Sequence, residues 1–199
     1  MNEAENIIRQ FIKKESIKCF QNIKKSDSMK VPVGISNRHI HLSKKDLNTI
    51  FGPNYELTPI KDLSQPGQFA CKETVTVAGP KGAIEKIRIL GPVRNETQVE
   101  ILAGDCFKLG IKKVVRLSAD LDGSPGVTII GTKGSVYLEK GAIVAKRHIH
   151  MTEKDAAILG YKDGQIVGIK VSGDRAGTYG ETIIRVSNSS ALDCHIDTE

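Results

Sequence analysis

Tryptophan is absent, and aromatic residues make up only 5% of the 199 residues. A chain this poor in rings offers no evident stacking platform for single-stranded nucleic acid. Nothing approaches about 18 consecutive apolar residues, so no membrane-spanning helix is expected. The N-terminus opens with Asn2 and Glu3 and lacks an apolar core, so no secretory signal is expected. The four cysteines, Cys19, Cys71, Cys106 and Cys194, form no Cys-x-x-Cys pair. Their spacing matches neither a zinc ribbon nor a disulfide framework. It points to a reducing, cytoplasmic setting. No Gly-x-Ser-x-Gly elbow occurs, so a serine acyl-enzyme has little support. Neither Ser64-Gln65-Pro66-Gly67 nor Gly123-Ser124-Pro125-Gly126 leads into the Gly-Lys-Ser/Thr of a P-loop.

Charge is what the chain has in excess. The net charge of +6 fits a well-solvated surface, a nucleic-acid partner, or a small polyanion such as phosphate or a nucleotide cofactor. No DNA- or RNA-binding signature appears, which favours the small anion among the functional readings.

Histidine is scarce but concentrated. Four of the five histidines lie in two His-Ile-His triplets, His39-Ile40-His41 and His148-Ile149-His150, each preceded by arginine (Arg38, Arg147). The fifth is His195. Side chains at i and i+2 of a strand leave the same face. Each triplet can therefore aim two imidazoles at one point while its isoleucine packs behind. Imidazole is the commonest protein ligand for zinc-like metals. The flanks repeat as well: SNRHIHLSKKDL from Ser36 and AKRHIHMTEKDA from Ala145 stand 109 residues apart. Both Ser43–Asp46 and Thr152–Asp155 fit a capping box. Each copy thus reads as a ligand strand, a tight exit and a short helix, ending near Gly52-Pro53 and near Gly160. The offset is too long for a solenoid and suggests duplication of a small domain.

The rest of the chain reads as strands and turns. Residues 3 to about 24 show an apolar stripe of Ile7, Phe11, Ile12, Phe20 and Ile23 with lysines opposite, an amphipathic helix, followed by a polar linker. Beyond Val31 the pattern is of short strands. Gly79-Pro80-Lys81-Gly82 and Gly131-Thr132-Lys133-Gly134 mark hairpins. Extended segments are expected at 97–102, 113–117, 142–150, 165–171 and 182–186. Many short strands with glycine turns indicate a mainly β fold of small barrels. A strand–helix alternation is the competing architecture, but helical stretches are few.

The metal donors can be counted. Two His pairs plus His195 supply five nitrogens, whereas two catalytic zincs with three protein ligands each need six. Glu100, in an apolar strand context, is a candidate for the sixth, or else an exposed strand carboxylate. Arg94, after the Gly91-Pro92 turn, suits bidentate contact with phosphate, or else is a surface charge. Cys194 adjoins His195, but strand neighbours point to opposite faces.

Several long segments carry a family likeness. VPVGISNRHIHLS, KDLSQPGQFACKETVTVAGPKG, RILGPVRNETQVEI, GSPGVTIIG, AKRHIHM and LDCHIDT closely resemble the PduL-type phosphotransacylases, or phosphate propanoyltransferases, from about Val31 to Thr198. The resemblance implies interconversion of acyl-CoA plus phosphate with acyl phosphate plus CoA, for a short acyl group such as propanoyl or acetyl, with two zinc ions or another divalent metal. It implies one metal on His39, His41 and Glu100, a second on His148, His150 and His195, phosphate on Arg94, and coenzyme A on Ser36, Lys61, Arg88 and Leu90. It also implies two small β-barrels, one from residues 28–37 plus 146–199 and one from residues 38–145, with the active site at their interface. Residues 1–27 form a separate N-terminal helix and linker in this reading. Some members reside in bacterial microcompartments and carry such helices for packaging, so shell or cargo contact is an expectation, as is a homo-oligomer. Members usually continue past the HIDT segment with an acidic, Asn-containing stretch; here the sequence ends at Glu199. Metal ions would orient phosphate while Arg94 neutralises its charge, and attack on the thioester would be direct. A metal hydrolase and a cupin-like metal-binding module are the rival classes; the cupin pattern lacks its expected glutamate and glycine after the first triplet.

Overall fold

The computed structural model describes residues 30–199. The helix expected over residues 1–27 lies outside the described residues. Among the described residues strands dominate, at 44% against 13% helix, with a sheet curled into a half-barrel. That ratio decides against a strand–helix alternation.

Among the described residues, fourteen strands and three short helices follow in chain order. They are β1 (Val33–Ile35), β2 (His39–His41), α1 (Lys44–Phe51), β3 (Pro59–Asp62), β4 (Phe69–Gly79), β5 (Gly82–Gly91) and β6 (Gln98–Glu100). Then come α2 (Ala103–Leu109), β7 (Val115–Arg116), β8 (Val127–Ile130), β9 (Ser135–Leu138), β10 (Ala142–Ala145) and β11 (His148–Met151). Last are α3 (Glu153–Leu159), β12 (Ile166–Val171), β13 (Gly177–Val186) and β14 (Asp193–Ile196). Both expected hairpins form: Gly79 pairs with Gly82 between β4 and β5, and Ile130 with Ser135 between β8 and β9. Gly79 is required where it stands, because a Cβ there would collide with the Leu109 carbonyl at the end of α2.

The Ser43 and Thr152 hydroxyls each accept the amide three residues on, from Asp46 and Asp155, at 3.1 Å. The capping box closes only at α3, where the Thr152 amide donates back to Asp155 Oδ2 at 3.0 Å; the Ser43 amide donates to Thr97 Oγ1 at 2.8 Å instead, which leaves α1 a simple N-cap. Gly52 and Gly160 close the two helices. One helix escapes the pattern: α2 starts after Leu102, which has no capping side chain. Its first turn is closed instead by Asp105 Oδ2, which accepts the Leu102 amide at 3.0 Å.

The strands form a five-stranded sheet, β1-β14-β11-β13-β12, and a nine-stranded sheet. The same pairing scheme occurs in both. In the larger sheet β2 runs antiparallel to β6, with His39 opposite Glu100, and parallel to β5. In the smaller, β11 runs antiparallel to β14, with His148 opposite His195, and parallel to β13. The strand before each triplet crosses to the other sheet. β1 pairs in parallel with β14, placing Gly34 beside His195. β10 pairs in parallel with β6, placing Ile143 beside Glu100. Gly34 and Ile143 are separated by the same 109 residues as the two triplets. This exchange explains a departure from the sequence pattern, which reads 142–150 as one strand. The chain breaks at Lys146-Arg147 because it passes from one sheet to the other there.

Ile40, Leu42, Leu47, Ile50, Ile89, Val99 and Ile129 are fully buried in the larger sheet's core. Each such side chain contributes roughly 1.5–3 kcal/mol by leaving water. Ile149, Met151, Ile184 and Cys194 are buried in the smaller sheet. The middle isoleucine of each triplet is therefore anchored on the core side, which turns the flanking histidines the other way. Pro32–Glu199 forms one unit, within which both triplets open onto one cleft.

Candidate active site and metal centre

Two groups of three side chains bring their ligand atoms within 4.8 Å of one another: His39, His41 and Glu100, and His148, His150 and His195. Strand register accounts for both. Each triplet supplies its first and third residues, and the antiparallel neighbour supplies a third donor opposite the first histidine. In the second group the three rings meet edge-on, with centroids 4.7–5.0 Å apart.

The tautomers are set the same way in both groups. His39 Nδ1 lies 2.8 Å from the Asn37 carbonyl, and His148 Nδ1 lies 2.8 Å from the Lys146 carbonyl. A carbonyl only accepts, so each Nδ1 carries the proton and each Nε2 presents a lone pair to its group. His39 Nε2 then stands 3.3 Å from Glu100 Oε2, and His148 Nε2 stands 3.1 Å from His150 Nε2. His41 Nδ1 is buried with no hydrogen-bond partner. Donor atoms gathered this closely in the protein interior fit a borderline divalent ion such as zinc.

Protonation follows from burial. It pushes His41 down to about 3, helped by the positive charge of His39 and Arg94. It pushes His148 down to about 4 and His150 down to about 3. These imidazoles are neutral at neutral pH, as metal ligands must be. His39 goes the other way: burial opposes its charge, but Glu100 and the Asn37 carbonyl outweigh it. Burial likewise opposes ionisation of Glu100, yet His39 and the neighbouring histidines hold its carboxyl well below the usual range.

A second set of residues holds the donors in place. Gln98 donates to Glu100 Oε1 at 2.6 Å and to Ser118 Oγ at 2.9 Å, and accepts the Ala119 amide at 2.7 Å. Asp193 Oδ2 lies 3.1 Å from His195 Nε2 and also accepts from the Ser64 hydroxyl. Gln98 and Asp193 occupy matching places, each two residues before the third donor and opposite the second histidine of a triplet. Neither stands out in the sequence. The signal available was their i−2 position on the same strand face as Glu100 and His195.

Arg94 enters beside the first group. Its amide donates to the Leu42 carbonyl at 2.8 Å, fixing it where β2 ends. Its guanidinium donates to Ser118 Oγ at 3.0 Å. Burial lowers its pKa, Glu100 raises it and Arg185 lowers it again. Both groups and Arg94 line one cleft of about 980 Å³. Ser36, Arg88 and Leu90 line it too. Lys61 lies on the exposed strand β3 and is not among the lining residues. Four arginines line the cleft, Arg38, Arg88, Arg94 and Arg185, against the carboxylates Glu100 and Asp163. Arg38 is matched by Asp105, which leaves Arg88, Arg94 and Arg185 against Glu100 and Asp163, an excess that favours an anion.

Sequence comparison places this architecture. The profile of the phosphate propanoyltransferase family matches residues 32–199, which hold every donor described above. The chain belongs to that family. A phosphate propanoyltransferase of Thermotoga maritima is 58% identical over 168 residues, 84% of this chain and 80% of that protein. One of Rhodobacter capsulatus is 53% identical over 174 residues, 87% of this chain and 81% of that protein. One of Leptotrichia buccalis is 47% identical over 197 residues, 98% of this chain and 90% of that protein. The family match, residues 32–199, covers both sheets and every residue that lines the cleft.

Proposed function

We propose that the protein is a phosphate acyltransferase that interconverts acyl-CoA plus phosphate with acyl phosphate plus CoA, for short acyl groups such as propanoyl or acetyl. The observation that carries this reading is the cleft itself, where two matched donor groups and Arg94 face one space with an excess of arginine. Membership of the phosphate propanoyltransferase family supports it.

His39, His41 and Glu100 would hold one divalent ion, and His148, His150 and His195 a second. Such ions, when bound, supply Lewis acidity that orients phosphate and polarises the thioester carbonyl. The chain's own residues do the rest. Arg94 binds phosphate and offsets its charge as it approaches the carbonyl. A phosphate oxygen attacks the carbonyl carbon, the carbon–sulfur bond breaks, and CoA leaves as a thiolate, which a thiol pKa of about 8.5 permits. Ser36, Arg88 and Leu90 form the coenzyme A wall, and Lys61 reaches CoA phosphate from the rim. The described cysteines take no part: Cys71, Cys106 and Cys194 are buried, the thiols of Cys71 and Cys194 are pushed up to about 11, and the transfer is direct, without an acyl-enzyme. Among the described residues no helix is long and apolar enough to cross a membrane. Residues 1–27 serve packaging into a shell or assembly with other copies.

The test is release of free thiol from propanoyl-CoA with and without phosphate. Phosphate-dependent release is expected. Equal release in its absence identifies a metal hydrolase instead.

A further inference from the structure

Of the four arginines on the cleft wall, three have defined partners. Arg38 forms a bidentate pair with Asp105 at 2.6 and 2.8 Å. Arg88 donates to the Cys71 and Lys72 carbonyls at 2.8 and 3.0 Å. Arg94 donates to Ser118. Arg185 forms no hydrogen bond or ion pair among the described residues, although it is half-buried. Asp163 lines the same cleft, but its carboxylate accepts the Val186 amide at 2.8 Å and makes no ion pair with Arg185.

The fold places Arg185 close to the chemistry. On β13 it pairs with His150 across the parallel strand β11. Its charge is felt by His148, His150 and Arg94. The two sheets distribute their cationic residues differently. His39 pairs with Arg88, as His148 pairs with Ile183. Arg185 therefore holds the place that Leu90 holds in the other half, two residues further along on the same face. Leu90 and Arg185 both line the cleft, whereas Ile183 does not. One half thus presents an apolar side chain where the other presents a cation without a partner among the described residues. A half-buried guanidinium left unpaired loses hydration with nothing in return, unless an anionic ligand completes it.

We propose that Arg185 is a second phosphate-binding residue, which grips the free phosphate, or the phosphoryl group of the acyl phosphate, together with Arg94. This rests on the proposed acyl transfer. The shared chemistry is a phosphate oxygen, and it could come from inorganic phosphate or from coenzyme A. Proximity to the His148 group, together with Arg88 and Leu90 on the other wall, commits the proposal to inorganic phosphate.

The test uses full-length, metal-loaded protein and the variants Arg185→Gln and Arg185→Lys. Metal content and melting temperature are measured alongside, so that misfolding is seen directly. In Arg185→Gln the KM for phosphate should rise by about tenfold or more, the usual scale of a charge-assisted hydrogen bond. The KM for propanoyl-CoA should stay within about threefold of wild type, and Arg185→Lys should recover part of the loss. A raised KM for propanoyl-CoA with unchanged phosphate kinetics would assign the cation to coenzyme A and overturn the proposal. Unchanged kinetics for both substrates would overturn it too. Calorimetric titration of inorganic phosphate, without acyl-CoA, separates this inference from the one it rests on. Tight phosphate binding lost in Arg185→Gln supports the anion site even if wild-type protein fails to turn over acyl-CoA. Equal phosphate affinity in wild type and Arg185→Gln refutes it even if turnover is normal.

Discussion

Replacing Gln98 by methionine tests whether the donors are held by a built frame. Gln98 is 1% exposed, and methionine nearly keeps its volume, so little cavity forms. Three hydrogen bonds disappear. The bond to the Glu100 carboxylate is worth about 2 kcal/mol, and those to Ser118 and the Ala119 amide about 1 kcal/mol each. A loss of about 3–4 kcal/mol follows, because the partners remain buried without water. With a urea dependence of about 2 kcal/mol per molar, the unfolding midpoint of the metal-free protein should fall by about 1.5–2 M. Glu100 also becomes free to turn, so affinity at the first metal group should drop by about 10- to 100-fold. The second group, held by Asp193, should keep its ion. The assay is urea unfolding of chelator-treated protein, with a competition titration for metal. A midpoint within about 0.5 M of wild type and unchanged affinity for two ions would refute the frame.

Four further outcomes are expected. His39→Ala and His148→Ala should each lose one of two metal equivalents by elemental analysis, along with most activity; full metal content in either would contradict the ligand assignment. Arg94→Ala should lower kcat/KM for phosphate by about 2–4 kcal/mol of transition-state stabilisation, with partial rescue by Arg94→Lys; unchanged phosphate kinetics would remove Arg94 from the site. In metal-free protein His41, His148 and His150 stay neutral to about pH 3–4, whereas the unfolded chain protonates near pH 6.5. The unfolded state therefore binds more protons between about pH 6.5 and 4, and stability should fall as pH drops through that window. Depressed Glu100 adds to the loss at the acid end, and only raised His39 opposes it; a flat urea midpoint from pH 7 to 4.5 would contradict this. Deleting residues 1–28 should leave metal content and turnover nearly intact, since every proposed donor lies beyond Ser36; a folded but inactive truncation would place that segment in the catalytic unit.

The triplets were legible because strand geometry is local. Spacing by two residues puts both imidazoles on one face, whatever surrounds them, and the repeated N-caps at Ser43 and Thr152 are equally local. Partner choice is not local. Ala142–His150 reads as one extended segment, and nothing in its residues says that it changes sheets at Lys146-Arg147. Helix α2 stayed hidden because Leu102 offers no cap, and Gly104 and Gly110 weaken the helical pattern. Glu100 was only a candidate from its strand context; its register with His39 depends on β6 pairing across some 60 intervening residues. Gln98, Asp193 and Arg185 were invisible for a similar reason. An amide, a carboxylate and a guanidinium on strands read as solvent-facing until a neighbouring strand shows what they face.

The central claim is acyl transfer to phosphate at this cleft. It is tested most directly by measuring free thiol, acyl phosphate and free propanoate together, as metal-loaded protein consumes propanoyl-CoA in the presence of phosphate. Equimolar thiol and acyl phosphate, no propanoate, and no thiol when phosphate is omitted are the predicted result. Thiol matched by propanoate, with or without phosphate, would contradict it.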